Sequence, residues 1–365
     1  YMNWGTGTPN VTDGYTGPDT NLALIARAAY SYADRYFITG SWRRDYAGRL
    51  PYDHNHGDFP AATAAWKVSS EKFWQPIKKV INLLKFRASW GRVGNLGSIG
   101  WNYKSNTLGS GGWGNQQAQY GLEQGAGHVG TFYFMTKALN PNLTWETSEQ
   151  FDLGLDAAFL KDRLEFTADF YNKRTFNLIQ GQTSGWPDSI GMSAMLINQG
   201  EIMNRGIELM AGWNDKIGDW SYFVNGNAAY NKNWVSDIGV LNSDGTKGVL
   251  TGGGSWGSVP SYTHQTKEGE PLNSFYMIKC LGIFQSEEDV YAHNKDGKLI
   301  QPNAVPGDLI FEDYNDDGKI DDKDRQYFGN ATPDWTYALN FGFSYKNFTF
   351  SAMLQGVLGA QTANM

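Results

Sequence analysis

Apolar residues alternate with small or polar residues along most of the chain. In residues 151–159 the odd positions are apolar and the even positions are small or acidic. The same alternation runs through residues 163–170, 335–346 and 348–355. Because successive side chains of a β-strand point to opposite faces, this period of two predicts strands with one apolar and one polar face.

Six further segments show this period and are predicted to be strands: residues 21–33, 36–46, 59–69, 84–93, 205–214 and 220–234. Their lengths suit a tilted strand that crosses a bilayer in about 9–11 residues, whereas a typical soluble strand has roughly 5–6. Aromatic residues gather near the strand ends, as rings do at the two membrane interfaces. They are Tyr30, Tyr32, Trp42, Trp66, Trp90, Trp213, Trp220, Tyr230, Trp234 and Trp335.

The predicted connections alternate between short and long. The short ones are residues 34–35, 161–162, 216–219 and 346–347, and the long ones are residues 95–147 and 178–204. Short turns on one side and long loops on the other are typical of outer-membrane barrels, in which the short turns are periplasmic. The pattern therefore favours an all-β, antiparallel transmembrane β-barrel. A soluble β-sandwich also alternates, so a soluble, calcium-stabilised carbohydrate-binding or adhesin module is the alternative.

Composition narrows the class of protein. The 365 residues include 30 Lys and Arg against 37 Asp and Glu, a formal net charge of -7, and no Lys/Arg run. This acidic balance argues against binding of nucleic acid. An aromatic content of 15% with only 18% charged residues excludes a disordered acidic tail. A single cysteine, Cys280, excludes a disulfide framework. We find no catalytic motif and predict that the protein is not an enzyme.

Five segments resemble the SusC/RagA-like branch of TonB-dependent outer-membrane transporters, which is typical of Bacteroidetes. They are YADRYFITGSWRRD (residues 32–45), LKFRASWGRVGN (84–95), NPNLTWET (140–147, with similarity continuing to 175), NRGIEL (204–209), and PGD (306–308) with DYNDDGKID (313–321) and TPDW (332–335). The third segment is the most specific. The segments follow the family's order along nearly the whole chain.

The resemblance implies that residues 1–365 form part of a roughly 22-stranded barrel, from its second half or so. It implies that the family's plug domain, TonB box, first strands and last few strands have no counterpart in this chain. It also implies import of glycans or peptides across the cell outer membrane. The implied partners are a SusD-like surface lipoprotein, the TonB–ExbB–ExbD complex, an oligosaccharide or oligopeptide substrate, and outer-membrane lipid.

Residues 306–329 contain a loop with the spacing of a calcium site. The oxygen ligands would come from Asp313, Asn315, Asp317, the carbonyl of Lys319, Asp321 and Asp324, with Gly318 at the sharp turn. The last ligand is Asp rather than Glu, as in dockerin-type loops. The affinity for Ca2+ should therefore fall in the extracellular range of about 10⁻⁴–10⁻³ M. The other interpretation is an acidic turn that stays solvated without metal.

Aromatic residues among Gly and Asn in the long loops are candidates for substrate binding, because exposed rings suit sugar stacking or peptide capture. They are Trp101, Tyr103, Trp113, Tyr120, Trp186 and Trp256. The other interpretation is that these rings pack one loop against another or against a partner lipoprotein. They do not decide between a glycan and a peptide.

The alternation also predicts where side chains point. Residues Leu153, Leu155, Phe166, Phe170, Leu339 and Phe341 should face lipid, and Asp152, Asp156, Glu165, Asp169 and Asn340 should face the lumen. If the turn at 161–162 is periplasmic, strand parity places residues 306–329 on the extracellular side. Residues 272–285 should then belong to an extracellular excursion or to half of a strand pair.

Overall fold

One ten-stranded antiparallel sheet forms the frame of the protein. The computed structural model describes residues 20–97, 99–100, 138–182, 195–242, 244–250 and 263–362 in full, and the backbone alone of residues 251–252 and of four short strands within 108–135. The ten strands follow one another in chain order, and each is hydrogen-bonded to its sequence neighbours. We call this sheet the wall.

The strand bounds confirm the ten predicted strands and correct some of their ends. They are β1 (Asn21–Tyr32), β2 (Tyr36–Ala47), β3 (His56–Lys67), β4 (Ile81–Asn95), β5 (Glu146–Phe159), β6 (Leu164–Phe176), β7 (Glu201–Ile217), β8 (Trp220–Asp237), β9 (Trp335–Tyr345) and β10 (Phe348–Leu358). The prediction that β3 reaches residue 69 is wrong. The chain turns into a 3₁₀ segment at Val68–Ser70, where Val68 and Ser69 are buried.

The register sorts side chains into an apolar outer face and a polar inner face. Leu153 on β5 lies opposite Ala88 on β4 and Phe170 on β6. Asp152, one residue away, lies opposite Ser89 on the other face of the sheet. The six residues predicted to face lipid share the outer face, and the five predicted to face the lumen share the inner face. The predicted separation of these residues onto two opposite faces is confirmed.

The ten aromatic residues predicted to form girdles all lie on the outer face. At one end of the wall, Trp220 stacks on Tyr345 with ring centroids 4.5 Å apart. At the other end, Tyr230 contacts Trp335 at 5.0 Å. Two aromatic belts separated by an apolar band are the arrangement expected of a barrel wall in a bilayer.

The connections at the two ends of the wall differ in length: four of the five at one end have four residues or fewer, and three of the four at the other end have 24 or more, with residues 68–80 and 48–55 as the exceptions. Residues 33–35, 68–80, 160–163, 218–219 and 346–347 join strands at one end, which we call the short-turn end. Residues 48–55, 96–145, 177–200 and 238–334 join strands at the other, the long-loop end. The predicted calcium loop lies within the last of these connections, so it is at the long-loop end.

Residues 238–334 fold as an excursion with its own small sheets. Leu250–Gly252, His264–Thr266, Ser274–Ile278 and Arg325–Tyr327 form one sheet, Cys280–Ile283 pairs with Leu309–Phe311, and Asn294–Lys295 pairs with Lys298–Leu299. A helix, α1, spans Glu287–Ala292 and begins with a capping box at Ser286. Residues 272–285 thus belong to the excursion, which is one of the two predicted outcomes.

The remaining described elements are short. The strand pairs are Leu108–Ser110 with Tyr133–Met135, Gln119–Gly121 with Val129–Thr131, and Ile179–Gly181 with Leu196–Asn198. Further 3₁₀ segments lie at Tyr52–His54, Lys72–Trp74 and Asp322–Asp324. Within the described ranges, no helix has the length and apolar character needed to cross a membrane.

Candidate functional site

An arginine bridges two carboxylates across three strands of the inner face. Arg87 on β4 donates from Nε and Nη2 to the two oxygens of Asp156 on β5, both at 2.9 Å. Its Nη2 also reaches Asp169 on β6, with Nη2–Oδ1 at 2.9 Å. The three side chains are only about a quarter to a third exposed. A bidentate pair with a second carboxylate fixes all three groups and leaves this cluster with a net negative charge.

Gly154 is what lets the bridge cross β5. It lies opposite Arg87 on one side and Asp169 on the other, so it sits directly beneath their contact. A Cβ at this position would be 2.3 Å from Asp169 Oδ1 and 2.7 Å from Arg87 Cζ. Both distances are shorter than a Cβ contact, so a side chain here would displace the ends of the Arg87 and Asp169 side chains. Glycine here serves the close approach of two neighbours.

Further polar contacts continue the inner face toward the long-loop end. Asp152 accepts from Ser89 Oγ at 2.8 Å and from Gln150 Nε2 at 2.6 Å. Tyr171 donates to Asn231 Oδ1 at 2.9 Å across β7. This part of the inner face therefore carries carboxylate, amide and hydroxyl groups. Such a lining suits a polar solute or water-filled passage.

The NPNLTWET segment fastens the base of a long loop to the wall. Asn140 Oδ1 accepts from the backbone N–H of Asn142 at 2.9 Å, which forms a local turn. The backbone N–H and C=O of Thr144 are both bonded by the amide of Asn198, at 2.8 and 2.9 Å. Trp145 packs edge-on against Phe59 at 5.4 Å. The most specific sequence motif thus has a structural role at the long-loop end, where it holds the base of a loop in place.

A small hydrophobic core lies under these loops. It consists of Leu50, Ile99, Leu143 and Ile179, with Leu96, Leu139, Trp145 and Leu196 packed around it. Its members come from three different long-loop connections and their flanks. The core therefore ties the loop bases into one body at the long-loop end.

The predicted calcium ligands lie together on one turn. Asp313 accepts backbone N–H groups from Asp317 at 3.0 Å and Gly318 at 2.7 Å, and Gly318 has φ +85°. Asp324 is fully buried and accepts from the backbone of Tyr314 at 3.0 Å and of Asp321 at 2.7 Å. The first and last predicted ligands thus hold the loop in its curved form.

The other predicted ligands are more exposed. Asn315 Oδ1 accepts from the N–H of Asp317 at 3.0 Å. The ammonium of Lys319 lies 2.7 Å from Asp321 Oδ2 and lowers the pKa of that carboxyl. The oxygen donors are of the type that a hard cation takes. No group of three or more His, Cys, Asp or Glu side chains in the described ranges is arranged to hold a metal ion. Calcium binding stays a prediction.

The candidate substrate-binding aromatics are not tested by the structure. Trp101, Tyr103, Trp113, Trp186 and Trp256 lie outside the described residues. Tyr120 lies in the short strand Gln119–Gly121, of which only the backbone is described.

Sequence reasoning missed the role of Arg87. The alternation indicated that Asp156 and Asp169 share the inner face, and Arg87 follows the same period on β4. The bridge depends on the register between β4, β5 and β6, which connect residues about 70 to 80 positions apart. A search for inward-facing cations in the predicted strands would have identified Arg87 as a candidate, but not its two carboxylate partners.

Comparison with known proteins gives a consistent result. A family model described as "TonB dependent receptor-like, beta-barrel" matches residues 1–363. TonB-dependent receptor P3 of Formosa agariphila is 29% identical over 349 residues. TonB-dependent receptor SusC of Bacteroides thetaiotaomicron is 28% identical over 349 residues. Both alignments cover 94% of this chain and 32% of the relative, so the chain spans about a third of their length.

Solved structures agree on the fold. The RagAB peptide importer in its "open-open" state matches with a TM-score of 0.69 and 20% identity, over 93% of this chain and 33% of that one. At this identity the likeness speaks for the fold alone. Together with the family match, it confirms the barrel and its outer-membrane location over the soluble module.

Proposed function

Since this chain belongs to the TonB-dependent receptor-like β-barrel family of the outer membrane, we propose that the whole protein imports glycans or peptides across that membrane. The observation that supports import is the two-faced wall. Its outer face is an apolar band between aromatic belts, and its inner face is polar from Asp156 to Asn231. A solute moving along the inner face would meet hydrogen-bonding groups at these positions.

The proposal includes partners at both ends of the wall. A SusD-like surface lipoprotein would dock at the long-loop end, where the loop bases form one body. The TonB–ExbB–ExbD complex would supply energy from the short-turn side. Relatives named SusC and RagAB support this assignment, and RagAB is described as a peptide importer. Like these relatives, the protein would be a transporter and not an enzyme.

The direct test is uptake by cells. Deleting the gene for the full-length protein should abolish uptake of one class of labelled oligosaccharide or oligopeptide and leave the other unchanged. A plasmid copy should restore uptake only in cells with intact TonB. Restored uptake in cells lacking TonB would contradict the energised mechanism. Unchanged uptake of both the oligosaccharides and the oligopeptides after deletion would contradict import.

We also propose that the long-loop end is extracellular. A cysteine at Lys323, in a background in which the exposed Cys280 is replaced by serine, should react with an impermeant thiol reagent on intact cells. Lys161→Cys, in the turn between β5 and β6, is the matched control and should react only after the outer membrane is opened. The reverse labelling pattern would show that the orientation is wrong.

A further inference from the structure

The outer face carries a row of arginines near the long-loop end, each beside an aromatic ring. Arg44 lies over Trp42 with Cζ 5.4 Å from the ring centroid, Arg92 over Trp90 at 5.6 Å, and Arg174 over Phe176 at 4.9 Å. Cations stacked on rings in this way fit the interface of a bilayer, where the ring is half-buried and the charge stays wet.

Each of these three arginines forms an ion pair with a carboxylate. Arg44 binds Asp58 at 2.7 Å and Arg92 binds Glu149 at 2.6 Å. Arg174 binds Glu201. Each charge is thereby neutralised within the wall, and none of the three needs a ligand from outside.

Arg205 also lies beside an aromatic ring, but it has no carboxylate as an ion-pair partner among the described residues. Its Cζ lies 5.6 Å from the ring centroid of Trp234, and its Nε donates to the amide oxygen of Asn172 at 3.1 Å. The two contacts orient the guanidinium. Neither Nη group has a hydrogen-bond partner, and Arg205 forms no ion pair, within the described part of the chain.

A second cation stands beside it. Lys232 on β8 is directly opposite Arg205 in the register, is exposed, and likewise makes no ion pair with any described residue. Like charges directly opposite on neighbouring strands repel and lower stability. Two adjacent cations without an acid therefore form a place where an anion from outside would relieve repulsion.

The surroundings of the pair are amphipathic. Arg205 and Lys232 border a shallow pocket of about 430 Å³ whose wall on the membrane side is Phe170, Ile207 and Tyr230. These three residues belong to one outward-facing row of the apolar band. The charges are one row closer to the long-loop end. An anion that sits at the pair therefore has hydrocarbon-compatible surface directly beneath it.

We propose that Arg205 and Lys232 bind the phosphate headgroup of an outer-leaflet lipid, whose acyl chains lie along Phe170 and Ile207. Charge complementarity selects the phosphate, because guanidinium and ammonium groups are its usual partners. Continuity with the apolar band selects a lipid over a free anion. Trp234 holds the arginine at the height of the headgroups.

Binding of a phosphorylated glycolipid tests the assignment. The full-length protein in neutral detergent is titrated with lipid A and with lipid A from which the phosphates have been removed, and bound lipid is counted by native mass spectrometry. The double variant Arg205→Gln/Lys232→Gln should bind the phosphorylated lipid about 25-fold more weakly, since each interfacial cation contributes about five-fold. Binding of the dephosphorylated lipid should not change.

Two variants keep the test specific. Lys173→Gln removes a cation on β6 that faces the lumen, next to Asn172, and should leave lipid binding unchanged. Lys232→Arg keeps the charge and should retain the affinity. Equal binding of the phosphorylated lipid by the double variant would overturn the proposal. So would equal binding of both lipids by the unaltered protein, or displacement of lipid A by millimolar inorganic phosphate.

Discussion

Gly154 shows how the absence of a side chain lets charged groups on the two neighbouring strands meet. It lies beneath the contact of Arg87 with Asp169, and a methyl group there would displace the ends of both side chains. Gly154→Ala should push the two charged groups apart and lower the free energy of unfolding by about 1–3 kcal/mol, the usual range for overpacking. Denaturant unfolding of the full-length protein in detergent measures this loss.

Gly40 provides the control for that substitution. It is also a strand glycine, on β2, but nothing lies within 4 Å of the position that a Cβ would take. Gly40→Ala should be neutral or slightly stabilising, since alanine restricts the unfolded chain more than glycine does. Equal losses for the two alanine variants would show that Gly154 has no special role in the bridge.

Glu71 anchors the aromatic belt at the short-turn end. It accepts from the Tyr36 hydroxyl at 2.7 Å and from Trp66 Nε1 at 3.2 Å, and these two rings stack with an interplanar angle of 11°. The bond from Tyr36 is the main cause that lowers the pKa of Glu71 below its ordinary 4.5. Burial opposes this effect, while Trp66 and Arg35 add to it.

The lowered pKa predicts a pH dependence of stability. The stabilisation by Glu71 is fully present above pH 4.5 and is lost as the pH falls through the lowered value. Glu71→Gln should therefore melt at a lower temperature than the unaltered protein near neutral pH, and the difference should shrink in acid below pH 4.5. A difference in melting temperature that grows as the pH falls would contradict the assignment.

For single residues, the sequence predicts which face of the sheet a side chain occupies. It predicts less well which other side chains that residue contacts. Asp156 and Asp169 could be assigned to the inner face because alternation fixes direction within a strand. Their link to Arg87 could not be predicted, because neighbouring strands slide by two residues without changing any face. Arg205 stands on the outer face by the same alternation, yet only the register shows that Lys232 lies opposite.

The wall strands extend past their predicted ends mainly at the long-loop end, although β4 and β7 also gain three residues each at the short-turn end. β6 continues to Phe176 and β7 begins at Glu201, four residues before the predicted start. In that region charged residues such as Arg174 and Glu201 occupy the outward positions. Beyond the apolar band both faces meet water, so the alternation that reveals a strand disappears while its hydrogen bonds continue.

The predicted calcium loop gives an element-scale prediction. Millimolar Ca2+ should protect the excursion of the full-length protein from proteolysis, with half-maximal effect at about 10⁻⁴–10⁻³ M. The reason is that a cation would neutralise the exposed carboxylate of Asp317 and the half-buried carboxylate of Asp321. A chelator should reverse the protection.

A pair of amide variants distinguishes calcium from general salt effects. Asp317→Asn removes a predicted ligand charge and should abolish the protection. Asp316→Asn, in the same turn but paired with Lys295 at 2.7 Å, is not a predicted ligand and should leave it intact. If Ca2+ protected both variants, or if Mg2+ protected equally well, the loop would be a solvated acidic turn and not a calcium site.

For the whole molecule, the two faces should differ in their tolerance of charge. Leu339 lies near the middle of β9 on the outer face, and Asn340 follows it on the inner face. Leu339→Arg should lower the free energy of unfolding by roughly 2–4 kcal/mol if the residue is at the bilayer midplane. Asn340→Arg should cost much less, because it points to water. Folding of both variants into lipid vesicles measures the difference, and equal costs would contradict the orientation.

The excursion between β8 and β9 affects the order in which the strands of the wall pair during folding. Gly218 and Asp219 alone join β7 to β8, whereas β8 must find β9 across residues 238–334. Bringing together the ends of the longer segment costs roughly 3 kcal/mol more in chain entropy. Backbone bonds of Val235 with Gly269 and Glu270 pin part of the excursion to the end of β8 and shorten the free segment. Hairpin β7–β8 and hairpin β9–β10 should therefore form first and join late, after the excursion has folded.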